Sequence, residues 1–367
     1  MPAYAITYER LLNAVPPERG GPLASLRDLM APAHSPPDVL VLAAGGILGE
    51  AWMSALLAGM QKAGAVDFSR TESLVGTSAG AIVAASLSAG RPLAVPGPAG
   101  PQQRQGSTGQ GDVLARAAGS LGPQESLRRA RPGARLRGSA LRTATAAAGR
   151  VGQPLAPAAL RLSAPGGAIA RAAALAGVPE GSRALTGLVD ELARVGARFD
   201  GRLRICCVDR RSGRRVVFGA PGAPEASVGQ AVAASCAIPG VFRPVPIAGR
   251  EYVDGGVWSP TNLDAVTVGR DTEVLCLNPM GSMPVDPRSP FGALRIALRA
   301  AEAVETAALR RRGARLHMVV PDAEAARAMG TRLMASAPRG RVARAGYRQG
   351  LELGRERATS GPALAAH

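Results

Sequence analysis

The chain has 367 residues, enough for one large α/β domain with insertions or for two modest domains. Hydrophobic residues make up 46% but aromatic residues only 3%, so a core must be built mostly from Ala, Val and Leu. The formal charge of +17 is almost wholly arginine, Lys62 being the only lysine; it favours anionic partners, and with no stretch near the ~20 apolar residues of a membrane span, any membrane contact is expected to be peripheral.

After a Pro-rich opening, Val39-Leu40-Val41-Leu42-Ala43 is continuously apolar and predicts a strand buried on both faces. A glycine turn follows, Ala44-Gly45-Gly46-Ile47-Leu48-Gly49. Trp52, Leu56, Leu57 and Met60 then recur at helical spacing, with Gly64 as a stop signal. A second strand, Ser73-Leu74-Val75, runs into Gly76-Thr77-Ser78-Ala79-Gly80 and a small-residue helix that ends before Pro92. Strand, helix, strand, helix in this order predicts a parallel, doubly wound α/β sheet.

Residues 93–198 read as an insertion, first rich in Pro, Gly, Gln, Ser and Arg and later in Ala and Leu, with no aromatic residue between Phe68 and Phe199. Helical pieces are expected around 113–120, 156–175 and 184–197. Within 101–150 nine Arg stand against Asp112 and Glu125, a local balance of +7 that fits either a solvated linker or attraction to anionic lipid. Regular structure resumes with Leu203–Val208, a turn near Ser212-Gly213 and Arg215–Phe218, then a helix over Val228–Ser235 and strands at Glu273–Leu277 and Leu316–Val320. Phe291, Leu294, Leu298, Ala301, Val304 and Ala308 mark a helix between those last two strands. Cys206 and Cys207 must point to opposite faces of their strand, which makes them poor partners for one bridge or one metal. Glu9 and Arg10 interrupt what a secretory leader would need to be apolar, so the expected location is the cytoplasm.

The sharpest chemical signal is Gly76-Thr77-Ser78-Ala79-Gly80, a G-x-S-x-G between a predicted strand and a predicted helix. Such a turn exposes a serine hydroxyl beside the N-terminal N–H groups of the helix. The competing reading is a serine that merely caps the helix. The turn at Gly45-Gly46 can aim backbone N–H groups at the same sheet edge, where an oxyanion must be held. Read instead as a dinucleotide fingerprint with Asp67 as ribose ligand, that turn is a poor match, because Ala44 replaces the first glycine.

Ser78 needs a base. Of the three histidines, His34 sits in the Pro-rich entry and His367 is the last residue, whereas His317 has the chain order of a Ser-acid-His triad but falls inside a predicted strand. Among acids, Asp254 ends a short strand, Glu251-Tyr252-Val253, and is followed by Gly255 and Gly256, which let the chain turn sharply. No His/Cys/Asp cluster has metal-ligand spacing, and no cofactor is expected.

In this order the glycine loop, the Ser78 elbow, the stretch Ala234-Ser235-Cys236-Ala237-Ile238-Pro239-Gly240-Val241-Phe242-Arg243-Pro244-Val245 and Asp254-Gly255-Gly256 resemble the patatin-like phospholipases, over about 38–280. The resemblance implies a three-layer α/β/α fold with a mostly parallel central sheet and a Ser78–Asp254 dyad that cleaves lipid acyl esters without metal or histidine. It also implies an oxyanion hole at Gly45 and Gly46, with Ala79, and structural roles for Gly49, Gly76, Gly80, Gly255 and Gly256. Where the family loop reads G-G-G-x-[Arg/Lys]-G, this chain has Ala44 in the first glycine position and Leu48 in the basic one. The organisation expected is an extension over 1–37, a catalytic domain over 38–92 and 199–320 interrupted by the 93–198 insertion, and a helical C-terminal extension and tail over 321–367.

The function expected is a phospholipase- or lysophospholipase-like serine hydrolase, with a lipid or acyl-ester substrate and peripheral contact with anionic membrane. A carboxylesterase or thioesterase for soluble acyl substrates, or a non-catalytic Arg-rich membrane-binding protein, are the alternatives. Nucleic acid is not an expected partner, since the basic insertion has no aromatic residue on which bases could stack.

Overall fold

The computed structural model describes residues 35–64, 66–93, 95–97, 167–283 and 292–360. The expected helix at 113–120 and the +7 segment lie outside them. The chain enters the sheet with β1 (Val39–Leu42), crosses through α1 (Gly46–Gly64) to β2 (Ser73–Thr77) and continues into α2 (Ala79–Ser88). Two helices, α3 (Gly167–Ala176) and α4 (Thr186–Arg194), precede the hairpin of β3 (Leu203–Asp209) and β4 (Arg215–Phe218). Then come α5 (Val228–Ser235), β5 (Val245–Ile247), β6 (Arg250–Asp254) and β7 (Glu273–Leu277). The described chain ends with α6 (Gly292–Arg311), β8 (Arg315–Val319), α7 (Ala323–Met329) and α8 (Arg339–Ser360).

One eight-stranded sheet runs β5-β6-β3-β2-β1-β7-β8, with β4 paired to β3. The four pairings from β3 to β8 along this order are parallel, and those of β3 with β4, β3 with β6 and β5 with β6 are antiparallel. The predicted strands and the 228–235 helix are recovered, with ends moved by a residue or two, as is usual where pairing rather than apolarity defines a boundary.

Alternation along the strands divides the interior. Leu40, Leu42, Leu74, Ile205, Cys207, Leu275 and Leu277 join the larger core with α1, α2 and α5. Val39, Val41, Val75, Cys206, Val274 and Cys276 face a smaller core with Leu309 of α6. Both faces of the central strands are therefore covered, which is why their sequences are continuous apolar runs. The two adjacent cysteines fall in different cores, as the period-2 geometry requires, and all four cysteines are free.

Helix α1 is buried nearly all round from Ile47 to Met60, because α8 covers the side turned away from the sheet. The two helices meet through glycines four residues apart. A Cβ at Gly346 would lie 2.8 Å from the Trp52 carbonyl, one at Gly354 2.7 Å from that of Met60, and one at Gly350 would overlap that of Leu56. The buried Trp52 indole N–H donates to Gln349 Oε1 at 2.9 Å and registers the pair. Among the described residues no helix is long and apolar enough to cross a membrane.

Gly350→Ala is expected to lower stability by about 1–3 kcal/mol, because neither helix backbone can yield without disturbing the whole stripe. Gly340→Ala on the same helix, where a Cβ would meet only the end of Arg344 at 3.7 Å, is expected to be neutral or mildly stabilising. Urea melts of the two variants check the difference.

Candidate active site

Strands β1 and β2 end side by side, with Leu42 opposite Gly76, so the two loops that follow them emerge at one edge of the sheet. Gly80 makes this approach feasible, since a Cβ there would overlap the Leu42 carbonyl. Ser78 stands at the junction of β2 and α2 with φ 54° and ψ −120°, a backbone region that a non-glycine residue occupies only under strain of order 1–3 kcal/mol. Its side chain makes no capping bond to the helix, which removes the reading of Ser78 as an ordinary N-cap. The residue is 6% exposed.

The strained turn is held by α5. A capping box starts that helix, Ser227 Oγ accepting from Gln230 N–H at 3.1 Å and Gln230 Oε1 accepting from Ser227 N–H at 2.9 Å. At its other end Ser235 Oγ donates to the Cys206 carbonyl at 2.7 Å and accepts the Ser78 N–H at 2.9 Å. Ser235 lies within the stretch singled out from sequence, but its role was not legible there, because it depends on which backbone groups the hydroxyl meets.

Asp254 arrives from the antiparallel strand β6. One strand, β3, lies between β2 and β6, a span of about 10 Å. The register pairs Thr77 with Cys206 and Cys207 with Asp254, so Ser78 and Asp254 reach the same height at the sheet edge. The Ser78 hydroxyl lies near enough to the Asp254 carboxyl to favour its ionised form. Asp254 Oδ1 accepts the Gly256 N–H at 2.7 Å. At 5% exposure, burial pushes the carboxyl up to about 6, the nearby Ser78 hydroxyl and the Gly256 N–H opposing the shift only in part. The neighbouring thiols of Cys207 and Cys236 are pushed well above the ordinary thiol range by burial and by the charge of Asp254, so they remain protonated.

The glycine loop completes the arrangement. Gly46 has φ +60°, and a Cβ at Gly45 would lie 2.7 Å from Pro279 Cβ, so the loop is moulded onto its neighbours. Gly49 packs on the same Pro279, while Gly76 and Gly255 bring backbones into contact at Ala81 and Cys206. Ala44 sits against Gly256, where an added Cβ would lie 3.5 Å from that of Ala44, and the Ala44 N–H donates to the Pro260 carbonyl at 2.9 Å. Leu48 N–H donates to Leu333 at 3.0 Å, whereas the N–H groups of Gly45, Gly46 and Ala79 find no acceptor among the described residues. The Leu48 side chain is fully buried in the main core, so this position brings an apolar contact and no charge.

Two sequence alternatives are not brought to this edge. His317 lies mid-strand in β8, three strands from β2 and so about 14 Å away. Asp67 caps its own turn, accepting from Ser69 N–H at 3.0 Å and Ser69 O–H at 2.7 Å. His34 and His367 lie outside the described residues. A shallow cleft lined by Leu175, Val178, Pro239, Phe242 and Val253 opens beside β6, but Val253 faces away from the side that carries Tyr252 and Asp254. Among the described residues no group of three or more His, Cys, Asp or Glu side chains could hold a metal ion.

The pattern of elbow, loop and acid agrees with a family model for the patatin-like phospholipases, which matches residues 40–267. The chain belongs to the patatin-like phospholipase family. No curated protein matches it. Among solved structures it is similar to VipD from Legionella pneumophila, with 17% identity, a TM-score of 0.39 and coverage of 89% of this chain and 67% of that chain. The patatin-like match stops at residue 267, yet Pro279 and Leu333 beyond it touch the glycine loop, so the matched span does not enclose the whole site.

The buried carboxylate has a measurable consequence for stability. A folded-state value raised above the unfolded one favours the fold while Asp254 is protonated, and that contribution is lost as pH rises from about 4 through about 6. Above that window the ionised group costs roughly 3 kcal/mol, which Asp254→Asn avoids while it retains an acceptor for Gly256. Asp254→Asn is therefore expected to be more stable than the parent at pH 8, with the gain gone at pH 4, as read by urea melts at the two pH values.

Proposed function

We propose that the chain is a serine acyl hydrolase acting on lipid esters, with Ser78 as nucleophile and Asp254 as general base. The observation that carries this reading is the approach of a strained, nearly buried serine to a buried carboxyl raised to about 6, beside the N–H groups of Gly45, Gly46 and Ala79, which find no acceptor among the described residues. In the first step Ser78 Oγ forms a bond to the ester carbonyl carbon while its proton passes to Asp254. The N–H groups of Gly45, Gly46 and Ala79 receive the oxyanion. Collapse of the tetrahedral intermediate breaks the bond to the leaving alcohol, which takes the proton from Asp254. Water then attacks the acyl-Ser78, gives its proton to Asp254, and the acid is released as Ser78 recovers its hydrogen. No histidine takes part.

A general base must be ionised to work, so kcat/KM is expected to rise about tenfold per pH unit below pH 6 and to level off above it. Ser78→Ala is expected to abolish labelling by a fluorophosphonate. Ser78→Ala and Asp254→Asn should each remove most ester hydrolysis, and the double variant should be little worse than either single. A folded Asp254→Asn with parental turnover would refute the dyad.

Lipid, rather than a soluble ester, is the substrate class that family membership favours, and the excess of arginine suits an anionic surface. The enzyme would then act at the surface as a peripheral protein. Turnover of a long-chain ester is expected to increase when anionic vesicles form and to decline as salt screens the surface, to a reach of roughly 8 Å at physiological ionic strength. Equal turnover of monomeric and vesicular ester would instead favour a carboxylesterase or thioesterase.

A further inference from the structure

The four residues from Ser259 to Asn262 touch every part of the proposed site. The Pro260 carbonyl accepts the Ala44 N–H of the glycine loop at 2.9 Å. Asn262 Nδ2 donates to Thr77 Oγ1, immediately before Ser78, at 3.1 Å, and to the Gly255 carbonyl, immediately after Asp254, at 3.3 Å. The same amide donates to the Ser259 carbonyl at 2.6 Å. Asn262 is fully buried and left-handed, with φ 49° and ψ 38°, a conformation that Asn adopts more readily than most residues with a side chain and that here has support from its neighbours.

That support comes from one carboxylate oxygen on the opposite side of the sheet. Glu305 of α6, 6% exposed, places Oε2 within 3.0 Å of Ser259 Oγ, 2.9 Å of Thr261 Oγ1 and 3.0 Å of the Leu263 N–H, all three of which donate to it. Ser259 Oγ in turn accepts the N–H groups of Thr261 at 3.3 Å and Asn262 at 3.2 Å. From β4, Arg215 donates to Asn262 Oδ1 at 3.4 Å and pairs with Asp264, which closes the loop from outside. A buried carboxylate is retained at a cost in desolvation, and burial together with Asp264 raises this one above the ordinary range. Among the described residues no cation forms an ion pair with Glu305, and its three donors are the neutral groups of Ser259, Thr261 and Leu263, which points to a positional role.

We propose that Glu305 is a positioning residue of the hydrolytic site, holding the 259–262 segment so that Asn262 and Pro260 fix the nucleophile elbow, the base and the oxyanion loop relative to one another. Glu305 touches none of the reacting atoms. It lies outside the span matched by the family model, and its effect is transmitted through Ser259, Thr261 and Leu263. The inference rests on the Ser78–Asp254 reading.

The test compares parent, Glu305→Gln and Glu305→Leu for hydrolysis of a soluble short-chain ester and for the rate of fluorophosphonate labelling at Ser78. Glu305→Leu is expected to lower kcat and the labelling rate at least tenfold with KM within about threefold of the parent, because Glu305 touches none of the reacting atoms and its loss disturbs only their alignment. Glu305→Gln, whose Oε1 can still accept, is expected to recover most of the loss. A folded Glu305→Leu with kcat and labelling within twofold of the parent would overturn the proposal, as would loss of KM alone. If Glu305→Leu does not fold, Asn262→Gly and Thr77→Val take its place, and parental kcat in both would equally overturn it. A parent that neither labels nor hydrolyses, or labelling that persists in Ser78→Ala, would instead refute the underlying dyad, and is read in the same experiment.

Discussion

A carboxylate removed from water must find donors or take up a proton, and Asp254 is placed between these outcomes. Only the Ser78 hydroxyl and the Gly256 N–H offset its desolvation, leaving it at about 6. A fully satisfied carboxylate would ionise too readily to draw a proton from serine, and one left without any donor would stay neutral at physiological pH. The proposed mechanism therefore depends on incomplete compensation. In the proposed mechanism the ionised state required for turnover is also the one that burial disfavours.

Holding that balance requires backbones closer than ordinary side chains permit. Gly80 against Leu42, and Gly255 against Cys206, bring the ends of β1, β2, β3 and β6 to one point. Ser235 then binds both the Ser78 N–H and the Cys206 carbonyl, tying the strained elbow to the strand that separates Ser78 from Asp254. The fixed elements below the site are a largely parallel sheet buried on both faces and a helix pair, α1 and α8, interlocked through glycines. With so few aromatic residues, close backbone approach takes over work that large side chains do in other cores.

The site is assembled from chain segments far apart in sequence, and its outer support comes from beyond the span that defines the family. Pro279, Glu305 and Leu333 all lie after residue 267. The buried thiols of Cys207 and Cys236, both held protonated by burial and by the charge of Asp254, add no charge near it.

The amino-acid sequence by itself determined the strands, the elbow and the candidate pair, because these depend on local rules. Continuous apolar runs such as Val39–Leu42 mark doubly buried strands, and small residues around Ser78 and after Asp254 mark sharp turns. Residue type and spacing also made His317 a weak candidate before its distance from Ser78 was known. Tertiary structure alone decided what depends on meeting across the fold. The short strand β5, the role of Ser235, the glycine stripe of α8 and the bonds of Glu305 to a loop 40 or more residues earlier have no local signature. A hydroxyl or a carboxylate in the sequence is one of many, and only the packing of α5 and α6 on opposite faces of one sheet selects which backbone groups these two will hold.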